Sequence, residues 1–261
     1  MIMDMLEKYK VVAFRYEKQL MQRPDVIGVM HLGGIARNRA DEDSDIDIAV
    51  FSYEPLKDLK LGEQLSEEGY DVEIFNIAIN EGFDWWDPIM KEAYEEGYIS
   101  SDKTGEVEEF MKKALYYDED FRKHYLAKLI FNIAWHGWIY TPFRNKNVKG
   151  YNWILPANLW FKRNDVKNAF FLTHICILDF IELLFVLNRR WTPDYKWRLI
   201  KSRNLPILPT NYNKKIDYLL FEKWDESTWD EKNRIFQEMI DEIIPLIIPD
   251  MPEDWYALLE H

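Results

Sequence analysis

The apolar residues of this chain change their period along its length. Residues 3–22 place Met5, Val12, Phe14, Tyr16 and Leu20 among charges in a helical pattern that stops at Pro24. Val26 to Leu32 then form a short apolar run ending at Gly33-Gly34, as a buried strand meeting a turn does. Ile46, Ile48 and Val50 alternate with Asp45, Asp47 and Ala49, while Val72, Ile74 and Asn76 alternate with Asp71, Glu73 and Phe75. Such strands, separated by helical or loop segments, predict an α/β or α+β N-terminal half. From about Gly105 helical patterns take over, at 106–117, 121–140, 165–188 and 229–244. There is no internal repeat and no low-complexity linker. The expected class is therefore α+β: a sheet-bearing domain at 1–104, then an all-helical domain at 105–261, divided near Tyr98-Ile99-Ser100-Ser101-Asp102.

With 261 residues, 48% of them hydrophobic, the chain can bury one large core or two modest ones, and global disorder is excluded. The lone cysteine, Cys176, excludes an internal disulfide and a Cys-rich zinc site, which makes a reducing cytoplasm the default compartment. A formal charge of -13 opposes a broad grip on nucleic acid, because phosphate neutralisation needs clustered Lys and Arg. Charges interrupt the first twenty residues, so they read as an amphipathic helix and not a signal peptide. In the most apolar run, Phe170 to Leu187, Asp179 and Glu182 would together cost roughly 5 to 7 kcal/mol on membrane insertion, about cancelling the apolar gain. A buried helix is expected there, and no membrane partner.

Alternation along a strand sends Asp45 and Asp47 to one face. An isolated D-x-D of this kind is usually a solvated edge. Two further features change that reading. Gly33-Gly34 directly follows an apolar strand, where missing Cβ atoms let backbone N–H groups approach phosphate oxygens, and Ile35-Ala36-Arg37 can open a helix. Glu73, between Val72 and Ile74, can bring a third carboxylate to the pair. Three carboxylates around one or two Mg²⁺ ions suit in-line nucleotidyl transfer, where metal activates a hydroxyl and neutralises pyrophosphate.

The string Gly33-Gly34-Ile35-Ala36-Arg37 through Ser44-Asp45-Ile46-Asp47-Ile48 resembles the Gly-Ser-x-Ala-Arg to Ser-Asp-Ile-Asp signature of the DNA polymerase beta nucleotidyltransferase superfamily, over about residues 26 to 76. The resemblance implies a mixed-sheet nucleotidyltransferase domain, with Asp45 and Asp47 holding two Mg²⁺ ions and Glu73 completing the catalytic site. It also implies an NTP substrate, ATP being expected; Gly33 and Gly34, with Arg37 and Arg39 by their position close to the glycine turn, are the candidates to bind it. The signature's Ser falls on Gly34, so a serine there is expected to be accommodated and to strengthen NTP binding. Asp165 through Lys196-Trp197 is similar to a helical domain that often follows minimal nucleotidyltransferase domains, and the layout resembles the kanamycin and aminoglycoside nucleotidyltransferases.

In the helical half, Asp179 and Glu182 share a face of an otherwise apolar helix, with Arg189 further along it. They face either a cleft, where Glu182 would be a general base for the acceptor, or an ion-pair partner such as Arg189 or Arg190. Lys196 and Arg198 follow Pro193 and are candidates for triphosphate contact, against a solvated surface as the plainer reading. His31 reads as a core histidine, and no pair of histidines has metal-ligand spacing.

The expectation is a Mg²⁺-dependent enzyme moving NMP from an NTP to a hydroxyl on a small molecule. The alternatives are a protein or RNA acceptor, or a degenerate nucleotide-binding, antitoxin-like partner protein. The sequence leaves the acceptor and the oligomeric state open, a homodimer included.

Overall fold

The computed structural model describes residues 5–59, 63–67, 69–136 and 156–250. The alternating segments become the centre of a mixed five-stranded sheet, built from β1 (Val26–His31), β2 (Ile46–Ser52), β3 (Glu63–Glu67), β4 (Tyr70–Ala78) and β5 (Tyr98–Asp102). Their spatial order is β3-β4-β2-β1-β5. β2 and β4 pair in parallel, and the other three pairings are antiparallel.

Each sheet face has its own cover. Ile46, Ile48 and Val50 join Val26 and Val29 against Tyr9, Val12, Ala13 and Tyr16 of α1 (Met5–Leu20). The residues between them, Ala49 and Phe51, point the opposite way and pack with Ile27, Met30 and Ile77. That second face is covered by Trp86, by Tyr94 of α3 (Pro88–Glu95) and by Val107, Phe110, Met111 and Ala114 of α4 (Glu106–Ala114). A short turn of helix, α2 (Gly33–Ala36), follows β1.

The chain divides into compact units at Met1–Tyr116 and Tyr117–His261, and not at 104/105. The reason is α4, whose apolar stripe completes the sheet core. The segment expected to be the boundary, Tyr98 to Asp102, is the edge strand β5. Its serines are engaged: Ser100 Oγ donates to the Val29 carbonyl at 3.1 Å, and Ser101 Oγ donates to Glu17 at 2.5 Å.

In the second unit lie α5 (Glu119–His136), α6 (Pro156–Lys162), α7 (Val166–Leu187), α8 (Tyr195–Ser202), α9 (Tyr212–Phe221) and α10 (Trp229–Ile247). Of the helix expected over 121–140, the last four positions lie outside the described residues. Asp165 starts α7 by accepting the Asn168 N–H at 3.1 Å. By length and composition α7 could cross a membrane. It supplies Cys176, Ile177, Phe180, Ile181 and Leu183 through Leu187 to the core of this unit, against α5 and α10.

Candidate active site

Three carboxylates meet where β2 and β4 begin. Parallel pairing sets Asp47 opposite Glu73, and Asp45 stands one residue before β2. Asp47 shares its side of the sheet with Ala49 and Phe51, and Glu73 with Phe75 and Ile77, so both project on the α3/α4 face. One oxygen from each of Asp45, Asp47 and Glu73 lies within 4.8 Å of the others, with Asp45 exposed and its partners half-buried. The loop that delivers Asp45 braces itself. Asp41 Oδ1 accepts from the Asp43 N–H at 3.1 Å and from Ser44 Oγ at 3.0 Å, while the Asp41 N–H donates to Ser44 Oγ at 2.9 Å.

Gathering three like charges is unfavourable unless a cation compensates them. The donor set is all carboxylate oxygen, which fits a hard divalent ion such as Mg²⁺ or Mn²⁺ better than a soft one. These three residues are the ones that would hold it.

The glycine turn is fitted around Asp47. The Leu32 N–H donates to the Asp47 carbonyl at 3.0 Å, and Gly33 adopts φ 55°. A Cβ on Gly33 would sit 1.8 Å from Asp47 Oδ2, so glycine is required twice over, by backbone conformation and by space. Gly34 is confined differently. A Cβ there would lie 2.7 Å from the Arg39 carbonyl oxygen, which cannot swing aside because the Arg39 N–H is bonded to the Gly34 carbonyl at 2.8 Å. The expectation that serine would be accommodated at this position is therefore overturned on steric grounds. Arg37 caps α2 through its N–H to the Gly33 carbonyl at 3.1 Å, and its guanidinium pairs with Glu96 at the end of α3.

The residues singled out in the helical half are placed otherwise. Glu182 is 8% exposed; its Oε2 accepts from Arg198 Nη1 at 2.6 Å and its Oε1 from the Tyr125 hydroxyl. In place of an open general base, the structure shows a buried, doubly engaged carboxylate, and Arg198 is its partner and not a surface cation. Burial and the bond to Glu182 together push the Tyr125 phenol well above its ordinary range. Arg189, at φ 53°, turns away and pairs with Glu119 at 2.6 Å. Lys196 is exposed near the start of α8, in the unit that lacks the carboxylate cluster. His31 is fully buried against Glu17, at 2.9 Å from its Oε2.

Glu96 was missed by sequence reasoning. A lone acid in an acidic stretch carries no signal of its own, and only folding brings it to Arg37.

Residues 15–149 match the family described as "Nucleotidyltransferase domain". A protein of Methanocaldococcus jannaschii named "Putative protein adenylyltransferase MJ0126" is 33% identical over 78 residues, covering 30% of this chain and 76% of its own. A nucleotidyltransferase-like protein from Exiguobacterium sibiricum, known from its crystal structure, aligns over 98% of this chain and 79% of its own, with 13% identity and a TM-score of 0.47.

Proposed function

The chain belongs to the nucleotidyltransferase domain family, and from that premise we propose that it transfers NMP from an NTP, ATP foremost, to a hydroxyl of a small-molecule acceptor with release of pyrophosphate. The observation that carries this reading is the meeting of Asp45, Asp47 and Glu73 within 4.8 Å beside a glycine that only fits because it has no side chain. Mg²⁺ bound by these carboxylates would lower the pKa of the attacking hydroxyl and neutralise charge on the leaving pyrophosphate.

The chain's own part is placement. Asp47 and Glu73 are held opposite one another by the β2/β4 ladder, so their spacing needs no reorganisation when substrate arrives. The missing Cβ atoms of Gly33 and Gly34 let the turn close onto Asp47 and the Arg39 carbonyl, which sets its backbone beside the carboxylates, and Arg37 adds a cation to the same turn. In the transfer, the acceptor hydroxyl releases its proton to solvent and its oxygen forms a bond to the α-phosphorus as the bond to the pyrophosphate oxygen breaks.

A second reading, transfer to a hydroxyl of a protein side chain, is supported by the printed name of the Methanocaldococcus jannaschii relative. One experiment separates the two. Purified chain is incubated with Mg²⁺ and each α-labelled NTP, in parallel against a metabolite extract and a protein extract. Label in a new small molecule supports the first reading, label on a protein band the second. Label in neither, with wild type matching Asp47→Asn, would remove both.

A further inference from the structure

On the sheet face to which Asp47 and Glu73 project lies an aromatic pair whose polar atoms have no partner. Tyr94 is 3% exposed and Trp86 5%, and their rings sit 4.5 Å apart between centroids. The Tyr94 hydroxyl and Trp86 Nε1 are both buried without a hydrogen bond. A buried donor left unmatched costs about 1 to 3 kcal/mol, so a folded chain rarely keeps one without a use for it. These two unmatched donors are on the sheet face that carries three carboxylate acceptors.

The last turn of α3 is tied to the nucleotide turn from several directions. Glu96, directly after the helix, holds Arg37. Gly97 lets the chain close onto β1: a Cβ there would come within 2.5 Å of Leu32 Cδ2 and Met30 Cε, and within 2.9 Å of the His31 carbonyl oxygen. Tyr94 is on that same turn, and Asp47 is the charged group whose field adds to burial in raising its phenol.

We propose that Tyr94 is a positioning residue for the metal site, its hydroxyl donating to the carboxylate of Asp47 when a divalent ion is bound. The inference rests on the metal-binding reading given above. Ligating carboxylates are ordinarily fixed by hydrogen bonds from a surrounding set of donors. Tyr94 is a donor on the right face, held by a packed ring, with nothing else to do. In the metal-free protein its hydroxyl is a liability; in the loaded protein it fixes the orientation of Asp47.

The test uses the full chain and Mn²⁺ as probe, followed by calorimetric titration and by the thermal midpoint with and without Mn²⁺. Tyr94→Phe keeps the ring and removes the hydroxyl. The expected result is a metal-free midpoint equal to or above wild type, together with an Mn²⁺ affinity lowered about tenfold and a smaller Mn²⁺-induced rise in midpoint. A purely structural tyrosine gives the reverse, a lower metal-free midpoint with Mn²⁺ affinity unchanged, and that overturns the proposal. Failure of Tyr94→Phe to fold overturns it too, since the hydroxyl would then be needed without metal. The wild-type chain gives an independent reading: saturating Mg²⁺ should shift a near-ultraviolet tyrosine band as one phenol becomes a donor, and no shift counts against the proposal. If wild type binds no Mn²⁺, or Asp47→Asn binds it equally well, the metal site itself is refuted and Tyr94 with it. If wild type binds and Tyr94→Phe binds as tightly, only the role of Tyr94 falls.

Discussion

Single side chains divide into those whose placement was legible before folding and those whose partner came from elsewhere in the chain. Asp45, Asp47 and Glu73 are of the first kind, because strand alternation fixes the face and the register Asp47↔Glu73 needs only two parallel strands. Replacing Asp47 by Asn should lower labelled transfer by about 100-fold or more, the scale of losing one preorganised electrostatic contact. Its thermal midpoint should stay level or rise, since like-charge repulsion is relieved. Gly34→Ser should do the opposite of what the signature suggests. The Cβ meets the Arg39 carbonyl, so stability falls by about 1 to 3 kcal/mol and NTP affinity, followed calorimetrically, does not improve. Glu182 is of the second kind. Helical spacing pointed to Arg189 or Arg190, yet the partner is Arg198, on a separate helix, because Arg189 leaves the helix at positive φ. Glu182→Gln strands a buried guanidinium and should cost about 3 kcal/mol in chemical denaturation. NTP binding unaltered in that variant would confirm the structural role; NTP binding lost at full stability would contradict it.

Among secondary-structure elements, those with apolar periodicity were visible and those held by polar contacts were not. β1, β2 and β4 form the sheet centre and show as a continuous apolar run or as alternation, whereas β5 is an edge strand whose Ser100 and Ser101 are satisfied by Val29 and Glu17, contacts that leave no trace in a hydrophobic pattern. The same polar group docks α1. Glu17 reaches from the helix to Ser101 and to His31, and although burial works to raise its carboxyl, those hydrogen bonds outweigh burial and hold it below the ordinary glutamate value. A carboxyl whose folded pKa is depressed adds stability above its unfolded pKa and loses it as pH falls through the folded one. Glu17 therefore helps hold α1 to the sheet at neutral pH and ceases to do so on acidification below about pH 4.5, the unperturbed glutamate value. Thermal melts of wild type and Glu17→Gln should show a stability gap at pH 7 that narrows toward pH 3. A gap that stays constant across that range would assign Glu17 a role independent of its charge.

For the molecule as a whole, the candidate site and its supports sit within one unit: Asp45, Asp47, Glu73, Gly33, Arg37, Tyr94 and Glu96 all precede Tyr117. A fragment of residues 1–116 retains both cores that cover the sheet. If the fragment carries every ligand, it should bind Mn²⁺ within about twofold of the full chain. A fragment that folds by circular dichroism but binds no Mn²⁺ would show that the second unit contributes ligands. The parallel pairing of β2 with β4 has one more effect. The gap between Asp47 and Glu73 is measured out by rungs of the ladder, and not by the length of chain that joins them. The number of residues between Ser52 and Glu63 does not set that gap, as long as Leu56 keeps its place in the core and its carbonyl keeps Asn76 of β4. One extra residue inside β4, ahead of Glu73, would turn that carboxylate to the α1 side. A protein engineer altering that connection thus has to keep Leu56 in the core and its carbonyl on Asn76, whereas in β4 a few residues away no insertion is silent.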